Sequence, residues 1–204
     1  MKILIIGDSF AADWSVKYTD YPGWPELLAH EHDVTNLAQA GISEYRILQQ
    51  LESVADLAQF DLVIVSHTSP YRVHTRRHPV HHRDPLHLSA DLILSDIEYH
   101  AGRIQNWLNP GLKSALGFFH YHFDEKYYET VYTMFRERIN QRLAGKQVIV
   151  INNLPDNLKF ATEPVVLDFS ADWKENRGLI NHFSEVGNRL IHKQINNIIK
   201  QHIL

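Results

Sequence analysis

Ser9 stands in "IIGDSF", at the end of a short apolar run that begins at Lys2. A serine on the turn from a strand into a helix lies where unpaired backbone N–H groups and a partial positive charge gather. That position suits a nucleophile that attacks a carbonyl carbon, provided a base takes the hydroxyl proton. The stretch "GLINHFSEVGNRLI", near the other end of the chain, offers such a base in His182, just ahead of the last helical segment. The ordinary alternative is a tight turn in which Asp8 or Ser9 caps the helix. Asp8 is expected to hold the turn rather than react.

These two residues can meet only if the elements between them bring the chain ends together. Apolar runs of strand length recur at 2–6, 33–37, 61–65, 147–152 and 164–168, with segments of helical period between them. Ile47, Leu48, Leu51, Val54 and Ala55 form one helical stripe, and Tyr128, Val131, Phe135, Ile139 and Leu143 form another that ends at Gly145. A last helix is expected to turn Val186, Leu190, Ile191, Ile195, Ile198 and Ile199 inward. Strands apolar on both faces call for helices on both sides. The expected fold is therefore an α/β, three-layer α/β/α, doubly wound, flavodoxin-like parallel sheet of about five strands. Its ligand site lies at the C-terminal strand ends, where Ser9, Gly41 and His67 all fall. No repeat or linker divides the sequence, so residues 1–204 are expected to form a single domain.

Gly-Asp-Ser after the first strand, the glycine of "NLAQAGIS", and a histidine shortly before a C-terminal helix resemble the SGNH hydrolases, the GDSL-like esterase and lipase superfamily. The resemblance spans nearly the whole chain. It implies Ser9 as nucleophile, His182 as general base, and the backbone N–H groups of Ser9 and Gly41 as oxyanion donors. Two family side chains are absent. The usual Gly-x-Asn-Asp block after the third strand is replaced by "VIVSHTSPYR", so that one oxyanion donor is missing unless Ser69, His67 or Arg72, the candidate substrate-binding residues, replaces it. The Asp of Asp-x-x-His is replaced by Leu179, leaving Asp168, Asp172, Glu175 or a backbone carbonyl to orient the base. "NHFSEVGN", with Asn181 before the base, resembles the last block of members that act on cell-envelope or capsular polysaccharides. The resemblance thus implies a serine esterase with a Ser-His dyad, acting on O-acyl esters, O-acetyl above all, with carbohydrate esters among the candidates, without a cofactor. The alternatives are a catalytically impaired glycan-binding or O-acyltransferase-related protein of the same fold, and a His-rich metal-binding protein.

Six of the 14 histidines fall between positions 67 and 87, beside Arg72, Arg76, Arg77 and Arg83. His74 and His78 are four apart, as are His78 and His82, a spacing that pairs ligands on one helical face. Pro79 and Pro85 argue against a continuous helix, and no metal is assigned here. The arginines suit an anionic substrate group such as a phosphate, sulfate or uronate, with Arg72 nearest the strand end. His120-x-His122-x-Asp124 resembles the start of the metallo-β-lactamase metal motif, but Glu125 follows where a histidine is needed, and Phe118, Phe119 and Tyr121 read as aromatic packing. Trp14 and Trp24 flank the first loop, and Trp14 is a candidate sugar-stacking surface.

Composition narrows the classes. Hydrophobic residues are 44% and charged residues 22% of 204, ordinary for a folded globular chain. A net charge of −4 gives no general reason to expect nucleic acid or an anionic membrane as partner. Having no cysteine, the chain has no disulfide, thiolate nucleophile or cysteine-zinc site. The apolar run before Gly7 is too short for a secretory signal core, and the reading is a cytoplasmic protein that meets a small-molecule or glycan ester.

Overall fold

A computed structural model describes residues 1–153, 166–169, 175–178 and 182–202. Five strands, β1 (Lys2–Gly7), β2 (Asp33–Asn36), β3 (Leu62–His67), β4 (Gln147–Asn152) and β5 (Val166–Asp168), form one parallel sheet in the order β2-β1-β3-β4-β5. The chain thus starts in the second position and crosses to either side of it, which leaves a switch point between β1 and β3 at their C-terminal ends. This is the expected three-layer α/β arrangement. Residues 164 and 165 of the expected fifth strand lie outside the described residues.

The side-chain alternation of each strand divides its apolar residues between two helical layers. Ile3, Ile5, Leu62, Ile64, Ile149 and Ile151 face α1 (Trp24–Ala29) and α6 (Glu185–His202). Leu4, Ile6, Val63, Val65, Val148 and Val150 face α2 (Glu44–Glu52) and α5 (Glu125–Arg142). The β3-to-β4 crossover also carries α3 (Leu94–Ala101) and α4 (Pro110–Tyr121), which close a smaller cluster of Ile97, Leu112, Ala115 and Phe119. Asn109 caps α4 through Gly111 and Leu112 N–H, and Asp124 caps α5 through Tyr127 N–H.

The helices shift some sequence expectations. α2 stops at Glu52 with Ser53 as its cap, so Val54 and Ala55 lie beyond it. In α6 the inward stripe is Ile191, Ile195 and Ile199, whereas Val186 is 61% exposed and Leu190 38% exposed. Asn188 and Asn196 take buried positions instead, and Asn188 Oδ1 accepts the Trp24 N–H at 3.1 Å. Phe119 is buried and Phe118 packs beside it, but Tyr121 is 81% exposed. Among the described residues, no helix is long and apolar enough to cross a membrane.

Candidate active site

Ser9 follows β1 directly and is 6% exposed. The turn depends on Gly7, because a Cβ there would lie 2.6 Å from Ser66 Cβ on the neighbouring strand. The Gln50 side chain pairs with both the N–H and C=O of Gly7, at 2.8 and 3.2 Å. Asp8 turns inward. Its Oδ1 accepts the Phe10 N–H at 3.1 Å and the Ser66 hydroxyl at 3.2 Å, and Asn153 Nδ2 donates to that hydroxyl oxygen at 2.9 Å. Burial raises the Asp8 carboxyl to about 7, against the lowering pull of the Phe10 N–H and the Arg72 charge. Asp8 thus holds the turn, as its sequence position suggested.

Gly41 sits beyond β2 in the left-handed region, with φ +77°, and a Cβ there would come within 3.0 Å of Ala90 Cβ. Its carbonyl accepts from Asp91 N at 2.9 Å and from Arg72 Nη1 at 3.1 Å. The buried Asp91 carboxylate also receives Ser43 N–H and Arg46 Nε, so backbone and side chain of one residue fix the chain from Gly41 into α2. Among the described residues, neither the Ser9 N–H nor the Gly41 N–H donates to an acceptor. Both residues are buried and follow adjacent strands of the sheet, β1 and β2.

His182 reaches this place from the far end of the chain. Arg177 and Phe183 form an antiparallel bridge, and the Gly178 N–H donates to the His182 carbonyl at 2.6 Å. The imidazole lies against Trp14 and Phe10, with ring centroids 4.1 and 5.1 Å away. Trp14 Nε1 donates to the Ser9 carbonyl at 2.6 Å, so one indole holds both the serine backbone and the histidine ring. Ser9 and His182 line a single pocket of about 20 Å³, closed by Thr19, Tyr21 and Asn188. Among the described residues no hydrogen bond joins the Ser9 hydroxyl to the ring.

The other candidate residues divide between the layers. Trp14, read as a stacking surface for a sugar, is 8% exposed and spends its faces on His182 and Tyr18. Trp24 is fully buried, with its Nε1 donating to the Phe10 carbonyl. His67 is 0% exposed on the α2/α5 side of β3, where its Nδ1 meets Glu44 Oε1 at 2.6 Å. Ser69 and Arg72 line a second cavity of about 300 Å³, walled by Tyr45, Tyr128, Tyr132 and Phe135. Arg72 connects the two places: it lines this cavity and holds the Gly41 carbonyl. Of the groups considered for orienting His182, Asp168 and Glu175 are exposed, and Asp172, with Asn181 and Leu179, lies outside the described residues.

The His-rich segment packs along this site. Asp84 accepts the Tyr18 hydroxyl at 2.5 Å and Lys17 Nζ at 3.3 Å, and His87 places its ring 5.7 Å from Trp14. Arg76 and Arg77 are exposed. His74 contacts Asp91 and His82 contacts the His78 carbonyl, so neither of the spacing-based pairs, His74 with His78 and His78 with His82, forms. His122 and Asp124 cap successive helices.

The chain has the fold of the SGNH, or GDSL-like, hydrolases. No protein-family model matches its sequence, and no curated protein does. Among solved structures it is similar to a lipase/acylhydrolase from Enterococcus faecalis, at 14% identity and TM-score 0.53, over 100% of this chain and 97% of that one. It is similar to an acetyl xylan esterase at 11% identity and TM-score 0.51, over 98% and 100%. A GDSL-like lipase from Bacteroides thetaiotaomicron aligns at 10% identity and TM-score 0.50, over 98% of this chain and 88% of that one.

Proposed function

We propose that this chain is a serine esterase of the SGNH type, which cleaves short O-acyl esters through an acyl-Ser9 intermediate. One observation carries the reading: Ser9 and His182, from opposite ends of the sequence, line one small pocket, and the buried Ser9 N–H donates to no acceptor among the described residues. His182 takes the Ser9 hydroxyl proton as Oγ bonds to the ester carbonyl carbon. The carbonyl π pair moves to oxygen, and the Ser9 and Gly41 N–H groups receive that oxyanion, each worth about 3 kcal/mol in comparable acyl-transfer sites. Collapse breaks the bond to the alcohol, which leaves with the proton from His182. Water then repeats the sequence on acyl-Ser9 and frees the acid.

The small pocket favours acetyl over longer acyl groups. The likeness to an acetyl xylan esterase supports a carbohydrate ester as the first substrate to test. The aromatic cavity that shares Arg72 supports a larger alcohol part with an anionic group. A fluorophosphonate probe tests the reading. It should label the folded wild type at Ser9, and labelling and aryl acetate hydrolysis should both vanish in Ser9→Ala and His182→Ala. Folded wild-type protein that takes no label and cleaves no ester would sink the esterase and leave a glycan-binding protein of the same fold.

A further inference from the structure

Outside the Ser9 pocket, three imidazoles converge on one carboxylate. Asp96, in the first turn of α3, has His78 Nε2 3.3 Å from Oδ2, His81 Nε2 3.2 Å from both oxygens, and His100 Nε2 3.6 Å from Oδ1. The ligand atoms of His78, His81 and Asp96 all lie within 4.8 Å of one another. Tetrahedral zinc with bonds near 2.0–2.2 Å sets its ligand atoms about 3.3–3.6 Å apart, and the distances from His78 and His81 to Asp96 are close to that spacing. His78 adds a separate observation. Its side chain is 1% exposed, and Nε2 points into this cluster yet makes no hydrogen bond of sound direction, despite the nearby carboxylate. Such an atom pays desolvation without return unless something else occupies the centre.

We propose that Asp96, His78 and His81 bind one divalent ion of the zinc class, with water completing the tetrahedron and His100 beside the Asp96 carboxylate. The ion clips the 81–83 turn to α3, and so steadies the segment whose Arg72 and Asp91 fix Gly41. A neighbouring group, His81, Asp84 and His87, has comparable spacing, but Asp84 is already engaged by Tyr18, Lys17, the Leu86 N–H and His87. The Asp96 cluster has no such competing donors beyond its own histidines among the described contacts. Binding requires one proton to move. His78 Nδ1 accepts the Val80 and His81 N–H groups at 3.2 Å each, so the ring proton sits on Nε2 in the ion-free chain. When Nε2 bonds the ion through its lone pair, the proton shifts to Nδ1, and the Val80 and His81 N–H groups must turn away from that nitrogen.

The test is zinc titration of chelator-stripped full-length protein by calorimetry, with cobalt as a spectroscopic stand-in. Wild type should bind one zinc per chain, give the intense visible bands of tetrahedral cobalt, and melt roughly 5–10 °C higher at a hundredfold excess over Kd. Asp96→Asn and His81→Gln should each lose at least about tenfold in affinity. Asp84→Asn and the exposed His120→Gln should bind like wild type. His81→Gln, at a part-exposed position, decides the matter if Asp96→Asn fails to fold. Nitrogen shifts should report the His78 proton moving from Nε2 to Nδ1. No stoichiometric binding by wild type, or undiminished binding in His81→Gln, overturns the proposal. Loss in Asp84→Asn with retention in Asp96→Asn does so too, by moving the ion to the other group.

Discussion

The Ser9 pocket and the Asp96 cluster both rest on histidine, and they are built in opposite ways. The Ser9 pocket joins the two ends of the chain through sheet topology, and its polar frame is backbone: the Ser9 N–H, without an acceptor, and the Ser9 carbonyl, held by the Trp14 indole. The Asp96 cluster is local, assembled from one turn and one helix between positions 78 and 100, and its electrostatic part is side-chain charge. Burial opposes ionisation of Asp96, but the surrounding imidazoles outweigh it and hold the carboxyl well below the usual range. At Asp8 burial wins. A buried carboxylate is thus kept charged or neutral by its neighbours' polarity and not by depth alone.

Breaking that contrast begins with the reacting atoms. Ser9→Ala and His182→Ala should each cut kcat/KM by at least about 10⁴-fold while leaving the thermal melt and the zinc isotherm unchanged. A residual activity close to wild type in either variant would remove the dyad from the site.

Gly41→Ala comes next. A Cβ at φ +77° and 3.0 Å from Ala90 must tilt the peptide, and kcat should fall by roughly 10²-fold for one displaced donor. The same change should cost about 1–3 kcal/mol in urea unfolding, because it strains the loop. Unchanged kcat would mean that the Gly41 N–H does not meet the oxyanion.

Trp14→Phe keeps a ring against His182 and deletes only the 2.6 Å bond to the Ser9 carbonyl. A loss of about tenfold in kcat with little change in KM is expected, the effect of one buried hydrogen bond. A KM effect alone would assign Trp14 to substrate contact, as its sequence position first suggested.

The smallest effect is on stability against pH. Asp8 titrates near 7 in the folded chain against an ordinary 3.8, so the folded state keeps a proton that the unfolded state loses between pH 4 and 7. Stability therefore falls as pH rises through that window and levels off above about 7. Glu26, also raised to about 7 by burial, adds to the same slope. Asp8→Asn should remove on the order of 2 kcal/mol of the wild-type loss between pH 5 and 8, measured by urea unfolding. Asp84, lowered to about 2 because its hydrogen bonds outweigh burial, acts in the opposite direction, and its stabilisation is lost only as pH falls from about 4 through 2.

Much of this was legible without coordinates. The alternation of apolar runs with helical stripes fixes a parallel sheet, since buried strands must be apolar on both faces. The positions of Ser9, Gly41 and His67 relative to those runs put all three just beyond strands, and His182 just ahead of the last helix. Periodicity fails where polar side chains have tertiary partners: Asn188 takes an inward place by bonding Trp24, and Val186 goes to the surface. Trp14 looked like a ligand surface because sequence shows an aromatic ring without showing what lies on it.

The sequence by itself determined a parallel sheet covered by helices on both faces, because hydrophobic period is local and additive, while the pairing of Ser9 with His182 was implied by the family resemblance. Only the tertiary structure decided which histidine meets which carboxylate. His78 was paired by spacing with His74 and His82, yet it faces Asp96 from a different element, because two prolines break the helix that spacing assumed and α3 supplies the acid. Side-chain pairing across elements depends on packing angles and depth, and no periodicity along the chain encodes them.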